Sequence, residues 1–168
     1  MKKILLVDDE NIILYVLSSY LKTWNYEVTS EPDGRKVVEM LESRQKFDVM
    51  VSDIRMYPVS GLELLKISKR LMPDMPVILI TGFGSHEIFK QAESLGAYKC
   101  LPKPFEPETL LKTIESALTS QEADRDEDHS DANKPDCLSR EVSAINKVKA
   151  TSATQSEDTG SPEETDKE

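Results

Sequence analysis

The sequence predicts an α/β fold: a parallel sheet of five strands, doubly wound by helices on both faces. Three observations carry that expectation. Short, largely β-branched apolar runs at Ile4–Val7, Val49–Val51 and Val77–Ile80 have the length of strands buried on both sides. Stretches with apolar residues at helical spacing separate them. Five such strand–helix units fit within residues 1–119, the alternation that builds a parallel sheet.

Strand one, Ile4–Val7, is cut off by Asp8-Asp9-Glu10. Ile13, Val16, Leu17, Tyr20, Leu21 and Trp24 then form an apolar stripe on one helix face. Asn25 suits the left-handed position that ends such a helix. Glu27–Ser30 is a weaker strand pattern, followed by Pro32-Asp33-Gly34 and a second helix carrying Val37, Val38 and Leu41. After the third strand, Leu64, Ile67 and Leu71 mark a helix stopped by Pro73. After the fourth, Ile88, Ala92 and Leu95 mark a helix ended by Gly96. Tyr98–Leu101 is a weak fifth strand, and Leu110, Leu111, Ile114 and Leu118 a fifth helix opened by Pro107.

Charge divides the chain unevenly. The 168 residues hold 31 Asp and Glu against 21 Lys and Arg, a net charge of −10. Residues 1–119 contribute −2 and residues 120–168 contribute −8; all ten aromatic residues precede position 120. A segment so acidic and so poor in apolar side chains is expected to form a disordered tail over 120–168, because burial cannot offset the entropy of ordering it. Within it, Leu138, Val142 and Ile145 share helical spacing. That patch reads either as a partner-binding helix or as a fluctuating turn in a solubilising tail. No apolar run approaches a membrane span or a signal-peptide core, so a cytoplasmic, non-membrane protein is expected. Two cysteines, Cys100 and Cys137, make no disulfide framework. The acidic balance sets the expectation of no DNA binding, since phosphate contacts draw on Lys and Arg in excess.

Chemistry concentrates where the strands end. In open parallel sheets, ligands bind at the carboxyl ends of the strands. Strand one ends in Asp8-Asp9, strand three in Asp53 and strand four in Thr81, while strand five runs into Lys103. Each residue alone has an ordinary structural use, as a loop start, a helix cap or a solvated lysine. Together they place three carboxylates on one rim, which requires a cation or raised pKa values. Oxygen-only ligands favour a hard ion such as Mg²⁺. Lys103 offers a point charge for a phosphate, and Thr81 a hydroxyl donor. The set reads as a phosphoryl group held on a carboxylate beside Mg²⁺.

These residues resemble the receiver domain of two-component response regulators, here of the stand-alone type. The matching text is Ile4-Leu5-Leu6-Val7-Asp8-Asp9-Glu10, Val51-Ser52-Asp53-Ile54-Arg55-Met56, and Gly61-Leu62-Glu63-Leu64-Leu65. It continues with Ile78-Leu79-Ile80-Thr81-Gly82, Gly96-Ala97, and Leu101-Pro102-Lys103-Pro104-Phe105. The resemblance spans residues 1–119 and implies a flavodoxin-like sheet of strand order 2-1-3-4-5. It implies that Asp53 is phosphorylated by a sensor histidine kinase or a phosphotransfer protein. Asp8, Asp9, Asp53 and the Arg55 backbone carbonyl would hold Mg²⁺, with Thr81 and Lys103 engaging the phosphoryl group and a cis Lys103–Pro104 bond. Such a protein would not be a turnover enzyme. It would signal to a downstream protein effector, through the surface around helix four, strand five and helix five.

Three departures from the family pattern stand out. Tyr57 occupies the place of a usual Pro, four residues after Asp53; Cys100 occupies that of a usual Tyr or Phe, three before Lys103; and no effector domain is expected after residue 119. The competing readings are weaker. A haloacid-dehalogenase-type phosphatase needs an Asp-x-Asp pattern that Glu10-Asn11 does not supply, and a flavin binder would not place Asp-Asp-Glu in its phosphate loop. A pseudo-receiver, acting as a phosphorylation-independent interaction module, is the remaining alternative.

Overall fold

The computed structural model describes residues 1–82 and 84–127; the segment 128–168, with the amphipathic patch at Leu138–Ile145, lies outside the described residues. Five strands, β1 (Lys3–Val7), β2 (Glu27–Glu31), β3 (Val49–Asp53), β4 (Val77–Thr81) and β5 (Lys99–Pro102), alternate with five helices. The helices are α1 (Asn11–Thr23), α2 (Gly34–Glu42), α3 (Gly61–Leu71), α4 (His86–Ser94) and α5 (Pro107–Glu127). All strand pairs are parallel, in the order β2-β1-β3-β4-β5. The expected doubly wound α/β fold and its order are therefore present.

Strand alternation divides the core into two layers. Ile4, Leu6, Val49, Val51, Ile78 and Ile80 face α1 and α5, while Leu5, Val7, Met50, Val77 and Leu79 face α2, α3 and α4. All are essentially inaccessible to water. This explains why β1, β3 and β4 read as continuous apolar runs: both faces of a parallel sheet need covering. β2, at an edge, is more open and more polar.

Local signals end the helices as expected. Asn25 takes a left-handed conformation with φ of 64°, and Gly96 one with φ of 85°. The Asp33 side chain accepts from the Arg35 N–H at the start of α2. Ser60 and Glu63 form a reciprocal capping box at the start of α3.

The stripe expected on α1 is corrected at Val16 and Trp24, while Leu17 and Leu21 are buried and Ile13 and Tyr20 pack partly buried against the core. The buried residues of α1 are Leu14, Leu17, Ser18 and Leu21, whereas Val16 and Trp24 are about half exposed, at 47% and 54%. The helix carries apolar residues around most of its circumference, including exposed Ile12 and Tyr15. Spacing alone therefore supported a phase turned toward Val16, while the helix seats itself on its leucines. On α3 the buried positions likewise centre on Leu64, Leu65 and Ser68, with Ile67 and Leu71 only partly covered. α5 continues through residues assigned above to the tail, and the Gln121 amide there donates to the Asp74 carbonyl. Among the described residues, no helix is long and apolar enough to cross a membrane.

The rephased α1 has a direct consequence for stability. Leu17→Ala is expected to cost about 2–5 kcal/mol in urea unfolding, whereas Val16→Ala should stay within about 0.5 kcal/mol. Equal costs would restore the original stripe.

Candidate functional site

The strand ends on one rim of the sheet meet as the topology demands. β1 and β3 are neighbours, with Val7 paired to Ser52, so the residues that follow, Asp8 and Asp53, lie side by side. Both are buried, at 1% and 6% exposure. β5 lies two strands from β3, and the length of the Lys103 side chain closes that gap. Its Nζ is 2.8 Å from Asp8 Oδ2, 2.8 Å from Asp53 Oδ1 and 3.7 Å from Glu10 Oε1.

The backbone fixes each member. Asp8 Oδ1 accepts from the Glu10 N–H at 2.9 Å, and Asp53 Oδ2 from the Arg55 N–H at 2.6 Å. The turn-forming role that such aspartates ordinarily play is thus fulfilled by one oxygen of each, leaving the other for Lys103. The Lys103 N–H donates to the Thr81 carbonyl at 2.7 Å, and the Lys103–Pro104 peptide is cis. Thr81 itself is fully buried at the end of β4. Below Asp53, the first residue of α3 packs against the strand end. The Gly61 N–H donates to the Ile54 carbonyl at 3.0 Å, and a methyl group on Gly61 would collide with the Asp53 carbonyl oxygen.

Electrostatics follow from burial. Burial pushes the Asp8 carboxyl above its ordinary value, against the pull of Lys103 and the Glu10 N–H. Lys103 is partly buried, which alone would lower its pKa, but hydrogen bonds to Asp53 and Asp8 prevail and raise it. The rim therefore holds an ammonium firmly protonated between two carboxylates, with exposed Asp9 beside them.

Of the residues singled out from sequence, the structure brings Asp8, Asp53 and Lys103 into contact. Thr81 is joined to them through the Lys103 backbone and Arg55 through its N–H, while Asp9 stands apart at the rim. Among the described residues, no group of three or more His, Cys, Asp or Glu side chains is already arranged to hold a metal ion; Asp8, Asp53 and Glu10 converge on the Lys103 ammonium instead. The donor set nevertheless fits a hard divalent cation: oxygen ligands in excess of positive charge, one face of them open at Asp9. Glu10, the third carboxylate near Lys103, and Gly61, the buttress of Asp53, were legible only as parts of longer matching motifs.

Known proteins share this sequence pattern and this fold. The sequence model of the response regulator receiver domain matches residues 4–115. The transcriptional regulatory protein ZraR of Escherichia coli K12 is 36% identical over 115 residues, covering 68% of this chain and 26% of that protein. The DNA-binding transcriptional regulator NtrC of Proteus hauseri is 37% identical over 113 residues, covering 67% of this chain and 24% of that protein. Among solved structures, a CheY-like response regulator receiver domain protein from Methanospirillum hungatei superposes with a TM-score of 0.71 at 31% identity. That match covers 74% of this chain and 98% of the other. The chain thus spans about a quarter of the length of these two regulators.

These relatives correct one expectation. Exclusion of DNA from the partners of this protein does not hold, since the relatives include a DNA-binding transcriptional regulator. The charge argument failed for a physical reason. Net charge describes only the residues in hand, and phosphate contacts depend on where Lys and Arg cluster rather than on a chain-wide sum.

Two outcomes follow from the packing. Gly61→Ala should destabilise the protein by about 1–3 kcal/mol in urea unfolding, because the methyl group forces β3 and α3 apart. Asp8→Asn should raise the thermal midpoint at neutral pH. A carboxyl whose folded pKa is raised contributes stability when protonated and loses it as pH rises through that pKa. The gain should therefore fade as pH falls through the folded pKa and be gone below about 4, where the unfolded carboxyl is protonated too. A gain that persists at pH 3 would contradict the assignment.

Proposed function

The chain belongs to the response regulator receiver domain family, and on that premise we propose that it is a Mg²⁺-dependent phosphoacceptor whose Asp53 takes a phosphoryl group from a histidine kinase. The observation that supports this reading most is the placement of Lys103 Nζ at 2.8 Å from both Asp8 and Asp53. A protonated amine held between two buried carboxylates is poised to meet the charge of an incoming phosphoryl group.

In this reading an Asp53 carboxylate oxygen attacks phosphorus in line. The phosphorus–nitrogen bond of the donor phosphohistidine breaks, and its electron pair leaves on the imidazole. The Arg55 N–H holds the other Asp53 oxygen at 2.6 Å and so fixes the approach of the nucleophile. Lys103 exchanges part of its contact with Asp53 for a phosphoryl oxygen, and the Thr81 hydroxyl donates to another. Asp8, Asp9 and the Arg55 carbonyl would hold Mg²⁺, which when bound supplies neutralising charge to the transferring oxygens. Similarity to ZraR, a transcriptional regulatory protein, and to NtrC, a DNA-binding transcriptional regulator, supports a signal that ends in transcriptional control. The phosphorylated domain would act through protein contacts.

Incubation with Mg²⁺ and a small acyl phosphate should yield an acid-stable, hydroxylamine-labile phosphoryl adduct, visible by intact mass. Asp53→Asn should abolish it, chelation of Mg²⁺ should suppress it, and Lys103→Met should slow it by about 100-fold. A folded protein that forms no adduct, or an adduct surviving Asp53→Asn, would leave the phosphorylation-independent module as the better reading.

A further inference from the structure

Opposite the rim that carries Asp53, the amino ends of the strands open into a cavity of about 560 Å³. Its walls come from the start of β1 at Lys3, the loop between α2 and β3, the stretch from Leu71 to Met75, and Gln121 of α5. Phe47 and Met75 line it as buried side chains, Leu71 and Met72 as partly buried ones. Arg44 and Lys46 belong to the same lining and are exposed, so their charges stand at its open side.

The charged groups around the cavity are unequally engaged. Lys3 Nζ pairs with Glu27 Oε1 at 3.3 Å, while Asp48 accepts from the Lys3 N–H at 2.7 Å and pairs with Lys2 at 3.7 Å. Asp74 lies between Pro73 and Met75, whose carbonyls both accept from the Lys69 ammonium at 3.3 Å. The acidic members of the lining are thus answered by lysines, and Arg44 and Lys46 set the sign at the opening. Arg44 holds a left-handed backbone, with φ of 55°, that glycine would adopt at lower cost. Its Nη1 donates to the Leu71 carbonyl at 3.5 Å, which ties the guanidinium to the end of α3. At Gln121, Nε2 donates to the Asp74 carbonyl, whereas Oε1 is inaccessible to water and has no hydrogen-bond partner among the described residues. An acceptor enclosed in this way ordinarily finds a donor.

We propose that this cavity is a binding site for a small amphipathic acid. Its anionic group would meet Arg44 and Lys46, its apolar body would cover Phe47, Leu71, Met72 and Met75, and an N–H or hydroxyl group would donate to Gln121 Oε1. Small-molecule sites typically enclose about 300–1,000 Å³ and combine an apolar lining with a few placed polar groups. The planar fork of an arginine matches a carboxylate. A bare inorganic anion would leave the apolar wall in water, and a neutral apolar molecule would leave both cations unanswered. Because Gln121 joins α5 to the loop at Asp74, an acid bound there would also fix the end of α5. The site stands apart from Asp53, so it does not depend on the phosphoacceptor reading.

The test uses the full-length protein and the fluorescent dye anilinonaphthalenesulfonate, which carries an anion, an apolar body and an N–H. About one equivalent should bind saturably and raise the thermal midpoint, as a ligand of the folded state does. Arg44→Gly, which relieves the left-handed backbone, should keep or raise the midpoint of the dye-free protein while weakening binding about tenfold. Lys46→Gln should weaken binding as well, and Gln121→Leu should do so about fivefold. N-octanoylglycine should displace the dye, whereas inorganic phosphate and octanol at the same concentration should not. Absence of saturable binding, a midpoint lowered by the dye, or an affinity unchanged in Arg44→Gly and Lys46→Gln would overturn the site. If Arg44→Gly fails to fold, Lys46→Gln decides. Displacement by phosphate or by octanol as effective as by N-octanoylglycine would overturn the amphipathic acid as its ligand.

Discussion

Two buried carboxylates at the ends of adjacent strands repel, and the ammonium between them is the condition on which the rim depends. Asp8 and Asp53 lie together because β1 and β3 are paired, and Lys103 reaches them from the outermost strand of that side. Moving any of these charges out of water is expensive, and the loss is recovered only by close pairing and additional hydrogen bonds. Both are present: 2.8 Å contacts from Lys103 and a main-chain N–H for each carboxylate. The raised pKa of Asp8 shows that the recovery is incomplete. Added positive charge at this rim would relieve the penalty that burial imposes on the Asp8 carboxylate.

The rest of the fold holds that arrangement in place. The capping box of Ser60 and Glu63 fixes where α3 begins, and this sets Gly61 against the Asp53 carbonyl with no room for a side chain. Gly34, at the start of α2, meets Val59 in the same loop almost as closely, with 2.9 Å between a methyl group placed there and Val59 Cβ. The loop carrying Tyr57 is therefore gripped from two sides while Tyr57 itself is 90% exposed. The departure noted in the sequence at this position leaves the buried part of the loop intact.

What was legible in the sequence follows from which forces act locally. β1, β3 and β4 were readable because burial on both faces demands uninterrupted apolar residues, and Asn25 and Gly96 because left-handed backbone selects those side chains. The strand ends were readable because topology alone brings Asp8, Asp53 and Lys103 to one rim. The phase of α1 was not, since Ile12, Tyr15 and Val16 are apolar yet face outward, and nothing local distinguishes them from Leu14 and Leu17. The continuation of α5 past residue 119 was hidden for a related reason. Residues 120–127 are mostly polar and carry no apolar stripe, whereas a helix once nucleated adds one hydrogen bond for each further residue it fixes. Gly61 and Glu10 gave no signal of their own, because close approach of backbones and the reach of a third carboxylate are properties of the assembled site.

Cys100 illustrates how a substitution at one position changes the meaning of another. Burial pushes the pKa of the thiol there up to about 11, away from the thiolate form. Its effect is one of volume, for it leaves open a cavity that the ring of Phe89 already borders. The same ring lies on Gly84 within reach of the Thr81 methyl group, on a helix anchored by one buried alanine. A packed interior transmits displacement because its parts cannot be compressed, whereas an open volume beside a loosely seated helix gives that displacement somewhere to go. With a cavity beside it and Ala92 its one buried residue, α4 is the least firmly seated helix of the layer it shares with α2 and α3.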